Sequence, residues 1–209
     1  MSEVDFRLLL ITDRRCTGES SLLSTISKAV ATGVRAMQLR EKDLSARELY
    51  ALAVQLKAIC QKSDCRLFIN DRIDIANSVK AGGLHLPANG ISPEHTRKLL
   101  SSDMLLGIST HSVTEAMVAE QAGVDYIIFG PVYPTASKLQ YGAPLGLRSL
   151  HKVVGSVQIP VFAIGGITPR RAAECRSAGA HGIAVISAIL SADDPVETVT
   201  LFKERLGTL

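Results

Sequence analysis

Pro160-Val-Phe-Ala-Ile-Gly-Gly-Ile-Thr-Pro169 and, further on, Gly182-Ile-Ala-Val-Ile-Ser187 carry the pattern that decides the fold. Each is a short apolar run that stops abruptly at a glycine pair or a serine, as buried strands do. After the glycines, Thr168 stands as a helix N-cap and Pro169 occupies a first-turn position that tolerates it. Glycines permit close approach of backbone N–H groups to a ligand, and a helix start behind them adds partial positive charge. Two such strand ends separated by one helix are how adjacent barrel strands build a phosphate pocket.

Outward from that stretch, the same alternation runs through the chain. Strands are expected at 6–13, 36–40, 66–71, 83–87, 105–110, 126–130, 159–164 and 182–186. Helical spacing falls at 20–32, from Ser45 toward Ile59, at 73–79, from Ser92-Pro93 to Leu100, and from Ser112 to Gly123. It resumes at 147–154, after Thr168, and from Asp194-Pro195 to Leu206. Ser45 with Glu48 is a capping box, and Ser112 with Glu115 has the same spacing. The reading is one α/β domain over 1–209, a (β/α)8 barrel. An open doubly wound sheet is the alternative, but no G-x-G-x-x-G follows the first strand.

The 209 residues suit one such domain at the short end of its range. Apolar residues make up 46% and aromatics 4%, so the core is expected to be aliphatic. The net charge of +3 is dispersed, which argues against nucleic acid as a partner. Residues 1–5 carry acids where a signal peptide would be basic, and no apolar run has membrane-spanning length, so a cytoplasmic location is expected. Cys16, Cys60, Cys65 and Cys175 form no Cys-x-x-Cys pair or zinc spacing and read as reduced thiols.

In a barrel the chemistry sits at the C-terminal ends of the strands. In order, those ends offer Thr12 and Asp13; Gln38, Arg40 and Lys42; Asn70 and Asp71; His85; Ser109 and His111; Thr135, Ser137 and Lys138; Gly166; and Ser187. Residues 38, 40 and 42 alternate, which predicts a shared direction. Arg40 supplies a fork and Lys42 a point charge for phosphate oxygens. So many cations suit a diphosphate, with a divalent ion such as Mg2+ on Asp71 as counter-charge. Asp71 is also placed to cap the helix after strand three. His85, between two leucines, faces either the core or a ligand. His111, beyond a strand end, is structural or an acid/base.

The sequence resembles the thiamine phosphate synthase/TenI family over nearly its whole length. The resemblance rests on Gln38-Leu-Arg-Glu-Lys42, Ile69-Asn-Asp-Arg72, Leu84-His-Leu86, Gly107-Ile-Ser-Thr-His111 and Asp125-Tyr126. It continues through Gly130-Pro-Val-Tyr-Pro-Thr-Ala-Ser-Lys138, Ala163-Ile-Gly-Gly-Ile167 and Gly182-Ile-Ala-Val-Ile-Ser187. It implies thiamine biosynthesis: a hydroxymethylpyrimidine diphosphate is joined to a thiazole phosphate, releasing pyrophosphate with Mg2+ and passing through a pyrimidine cation. On this resemblance Gln38 contacts the pyrimidine, and Arg40, Lys42, Asn70, Thr135, Ser137 and Lys138 hold the diphosphate. Asp71 binds Mg2+, Ser109 lines the cation region, and the amides of Gly166, Ile186 and Ser187 hold the thiazole phosphate. His85 is counted among the substrate-binding positions, and Ser109, His111 and Lys138 among the catalytic ones. A homodimer is expected by analogy with other barrels.

The TenI branch instead implies a thiazole tautomerase with His111 as acid/base; a relative that binds thiazole phosphate without turnover is a third reading. The chain departs from the synthase pattern after the His-Leu strand. Synthases usually carry Gly-Gln-x-Asp there, the Asp being a second Mg2+ ligand, whereas this chain has Pro87-Ala-Asn-Gly90, with Gly90 at the carboxylate position. Asn89 offers an amide oxygen in its place; Asp103 sits near the far end of a helix.

Overall fold

The computed structural model describes residues 3–17, 21–135 and 143–207. Its strands are β1 (Leu8–Ile11), β2 (Ala36–Leu39), β3 (Arg66–Asn70), β4 (Gly83–Leu86), β5 (Leu105–Thr110), β6 (Tyr126–Phe129), β7 (Val161–Ile164) and β8 (Gly182–Val185). They pair in parallel in chain order, and β1 joins both β2 and β8, closing the barrel. Around it lie α1 (Leu22–Ala31), α2 (Ala46–Gln61), α3 (Ile73–Ser78), α4 (Pro93–Arg97), α5 (Val113–Gln121), α6 (Gly146–Val154), α7 (Pro169–Ser177), α8 (Ser187–Leu190) and α9 (Pro195–Leu206). The predicted barrel is the observed one. No helix among the described residues is long and apolar enough to cross a membrane.

Short polar side chains start the helices. Ser45 and Glu48 form the expected box, Ser112 accepts from the Glu115 amide, Thr168 from the Arg171 amide, and Asp194 from the Val196 and Glu197 amides. The first helix, expected from Ser20, begins at Leu22 with Ser21 as its cap, and Ser20 lies outside the described residues. Helix α4 ends at Arg97, short of Leu100. Two elements were not foreseen: a 3-10 turn at Arg14–Cys16, capped by Asp13, and the one-turn helix α8 directly after β8.

The period of two along each strand splits the apolar residues into two layers. Leu8, Leu10, Met37, Leu67 and Ile69 face the helices, while Leu9, Ile11, Ala36, Phe68 and Leu105 face the barrel interior. The interior corrects the expectation of an aliphatic core. Phe6, Phe68, Tyr126 and Phe162, each at most 1% exposed, pack together with centroid separations of 5.2–6.2 Å. Four rings fit because a neighbouring strand offers a glycine beside three of them. Phe68 pairs with Gly83, Tyr126 with Gly107, and Phe162 with Gly182. A Cβ at Gly83 would lie 2.5 Å from the Phe68 ring, and one at Gly107 would overlap the Tyr126 ring. These four rings are enough to fill the floor, since each buries on the order of 150–250 Å².

Candidate active site

Continuing each inward row past the aromatic floor brings up polar residues: Gln38 beyond Ala36, Asn70 beyond Phe68, His85 beyond Gly83, and Ser109 beyond Gly107. This layer is tightly bonded. Gln38 Nε2 donates to Asn70 Oδ1 at 3.0 Å, while Gln38 Oε1 is buried with no partner among the described residues. His85 is wholly buried, with Nε2 2.9 Å from Ser109 Oγ and Nδ1 3.3 Å from Tyr126 Oη.

His85 thus lies beneath the mouth and reaches upward through Ser109. Burial, reinforced by the Arg40 charge, depresses its pKa to about 3, so the ring is neutral at pH 7. Because the folded pKa lies below the unfolded value, this group's stabilisation is complete above about pH 6.5 and is lost as pH falls toward 3. Between pH 6.5 and 5 it contributes a loss of about 2 kcal/mol. Denaturant titrations of the native chain and His85→Gln at both pH values should show a shallower pH slope in the variant. Equal slopes would rule out a buried neutral histidine.

Above this layer the chain leaves the sheet. The Arg40 amide donates to Thr12 Oγ1 at 2.9 Å, so a side chain ends the β1–β2 ladder. The strand ends at Leu39, so the expected alternation of 38, 40 and 42 does not reach Lys42. Lys42 sits in the following turn, where the loop is held by Arg14: its amide and guanidinium donate to the buried Glu41 carboxylate, each at 3.0 Å, and its fork grips Asp43 at 2.7 and 2.8 Å. Arg40's guanidinium forms no hydrogen bond or ion pair with a described residue, and its charge bears on His85 and Asp13. Asp13 itself is bound to Arg15 at 2.9 Å.

Lys42, Asn70, Asp71 and Asn89 line a cavity of about 330 Å³ beside Arg40's strand end. Asp71 does not cap α3; that position belongs to Arg72, which offers no side-chain cap. Its backbone has φ 63°, a left-handed conformation that aspartate tolerates better than most residues. No group of three or more metal-ligating side chains occurs among the described residues. One carboxylate and a nearby amide oxygen still fit Mg2+, which commonly takes one or two protein carboxylates and completes its shell with phosphate oxygens and water. Asp103 lies just before β5, at the opposite end of the barrel.

His111 follows β5 directly. Its Nδ1 is 2.6 Å from the Gly130 carbonyl, which only accepts, so Nδ1 carries the proton and Nε2 is the basic nitrogen of the neutral ring. Thr135 lies half-buried on the segment after β6, and Ser137 and Lys138 lie outside the described residues.

At the far side of the mouth, Gly165 and Gly166 have φ 99° and 62°. A Cβ on Gly165 would lie 2.6 Å from Pro131, and one on Gly166 would overlap the Pro134 carbonyl. The glycines therefore answer first to the segment after β6, and the turn they make leads into α7. Next to it, α8 starts at Ser187 behind Ile186, with no side-chain cap. Its first amides lack intrahelical partners, which suits an anion.

The sequence reading missed the Arg14–Glu41 clamp. Opposite charges just beyond adjacent strands, in Asp13-Arg-Arg15 and Glu41-Lys-Asp43, were its available signal. It also missed Tyr133 on the segment after β6, which is bound by Arg171 and Glu174 of α7.

A closed barrel whose C-terminal mouth gathers positive charge on one side and helix-start amides on the other belongs to the (β/α)8-barrel enzymes. The thiamine monophosphate synthase family model matches residues 8–189, and the chain belongs to that family. A relative in Geobacter sulfurreducens carrying a provisional thiamine-phosphate synthase name is 47% identical, covering 94% of this chain and 92% of its own. The thiamine-phosphate synthase of Chlorobium phaeobacteroides is 41% identical, covering 95% of each. Among solved structures, the thiamine phosphate pyrophosphorylase of Pyrococcus furiosus superposes with a TM-score of 0.87 at 34% identity, over 97% of this chain and 96% of that one.

Proposed function

We propose that the chain is a thiamine phosphate synthase, joining a hydroxymethylpyrimidine diphosphate to a thiazole phosphate with release of pyrophosphate. What supports this reading is the placing of cationic and polar side chains at one side of the mouth and helix-start amides at the other. An isomerase acting on a single phosphate has no use for Arg40 together with the cavity of Lys42, Asn70 and Asp71. In the reaction the bond between the pyrimidine methylene carbon and the diphosphate oxygen breaks, and the electron pair leaves with the diphosphate. The thiazole nitrogen then supplies the pair for the new C–N bond.

Such a step needs stabilisation of the departing charge more than it needs a base. Arg40, Lys42, Thr135, Ser137 and Lys138 take that role. Asp71, with Asn89, is the place for Mg2+, which when bound would offset the leaving group's charge. Gln38 Oε1 presents an acceptor to the pyrimidine, and Asn70, whose Oδ1 is taken by Gln38, offers its Nδ2 to the diphosphate. Neutral His85 orients Ser109 beside the cation and adds no competing charge. The amides of Gly166, Ile186 and Ser187 hold the thiazole phosphate.

Purified protein given both substrates and Mg2+ should release pyrophosphate, and Lys138→Ala or EDTA should abolish the release. Isomerisation of the thiazole carboxylate that dies in His111→Ala, with no pyrophosphate formed, would replace this reading by the tautomerase. Binding of thiazole phosphate without turnover in either assay would replace it by a non-catalytic role.

The metal position has its own test. A carboxylate restored at Gly90 is crowded, since its Cβ would lie 3.0 Å from Pro87 Cδ. Asn89→Asp introduces the charge directly into the cavity and should tighten Mg2+ several-fold in calorimetric titrations made with inorganic pyrophosphate present. An unchanged affinity would remove Asn89 from the metal's surroundings.

A further inference from the structure

The two anion-binding ends belong to different loops, and the structure ties those loops together. The segment after β6, which leads to Thr135, runs along the end of β7. The Val132 amide donates to Ile164 O at 2.8 Å, and the Tyr133 amide to Gly165 O at 3.1 Å. The second bond has a consequence for the opposite end. Gly165 C=O and Gly166 N–H belong to one planar trans peptide, so they point in opposite directions. Tyr133, by holding the carbonyl, directs the Gly166 N–H away from its own loop.

The Tyr133 side chain is held just as closely. Its hydroxyl donates to Glu174 Oε2 at 2.7 Å, and the Arg171 guanidinium carbon lies 4.6 Å from its ring centroid. Arg171 also donates to Gly166 O at 2.6 Å, fixing the next peptide of the same turn. Arg171 and Glu174 are three residues apart on α7 and so share one helix face. The absent Cβ atoms of Gly165 and Gly166 are what let the two loops pack without a gap.

We propose that Tyr133, gripped by Arg171 and Glu174, is a positioning residue that couples the two anion sites, so that filling either one strengthens binding at the other. The inference rests on the two-anion reading of the mouth. It assigns to Tyr133, Arg171 and Glu174 no contact with the reacting atoms. An anion on the Gly166 amide favours the peptide orientation that Tyr133 N–H holds, and that orientation in turn favours the placement of the segment carrying Thr135. Linkage makes the effect reciprocal, and coupling between sites is typically on the order of fivefold or more.

Calorimetry tests this with two probes, inorganic pyrophosphate with Mg2+ and thiazole phosphate, each titrated alone and then with the other saturating. The native chain should bind each probe tighter by roughly fivefold or more when the other is present. In Tyr133→Phe and Arg171→Gln the single-probe affinities should persist while that ratio falls toward one. Arg171→Lys, which keeps the charge without the planar fork, should keep part of it. Melting curves on each variant separate loss of coupling from loss of fold. A ratio near one in the native chain overturns the proposal, as does an undiminished ratio in both variants. Failure of a probe to bind the native chain at all overturns the two-anion reading, and the inference with it.

Discussion

Arg40→Ala is expected to lower the rate of pyrophosphate release by about 10²–10³-fold, the range seen when one preorganised charge-stabilising donor is removed. The melting temperature should stay close to that of the native chain. The two halves of the expectation come from one observation: the guanidinium forms no hydrogen bond or ion pair with a described residue, so the fold loses little when it goes. The Arg40 amide, which does hold the sheet edge through Thr12, is untouched by the substitution. Arg40→Lys should fall between the two, because an ammonium replaces the charge but not the fork. Steady-state release measured beside a thermal melt decides the matter. A rate reduced less than threefold, or a loss of rate matched by a loss of stability, would return Arg40 to the status of a loop charge.

The largest effect on stability is expected at Gly107. Its Cβ would overlap the Tyr126 ring, which is fully buried and held on other sides by Phe6, Phe68 and Phe162. Overpacking of this kind costs about 1–3 kcal/mol and sometimes more. For a chain of this size that corresponds to a melting temperature lower by about 2–12 °C. A second change that shortens the ring should relieve the first. Gly107→Ala combined with Tyr126→Leu should be less destabilised than the sum of the single variants, because the two sites touch. Gly155→Ala serves as the control: its backbone is right-handed helical and its Cβ would meet nothing closer than 3.6 Å, so a neutral or slightly stabilising result is expected. Additive effects at 107 and 126 would show that the clash is not what makes the glycine necessary.

The same residues show how far the chain could be read without coordinates. Gly165-Gly166 signalled a strand end and a close approach of backbone, and both are there. What approaches Gly165 and Gly166, however, is the chain's own Pro131–Pro134 backbone before any ligand. His85 illustrates another limit. Its place between two leucines left core and ligand open, and the structure answers with a ring that is buried yet bonded upward to Ser109. Lys42 was expected on Arg40's row, a rule that ends where the ladder ends, and the ladder ends because Thr12 Oγ1 takes the Arg40 amide.

By itself the sequence determined the alternation of strands and helices, the caps that begin most of the helices, the barrel and the family. These follow from local periodicity, from short side chains bonding amides a few residues ahead, and from motifs in a given order, all of which are written along the chain. Tertiary structure alone decided that Phe6, Phe68, Tyr126 and Phe162 fill the barrel floor, because the glycines making room for the last three lie on neighbouring strands. It alone decided that Arg14 grips the β2 loop 27 residues away and that Tyr133 meets Glu174 across 41 residues. Contacts of that kind depend on how neighbouring strands are registered and on which way the loops beyond them turn, and neither is encoded within reach of a local pattern.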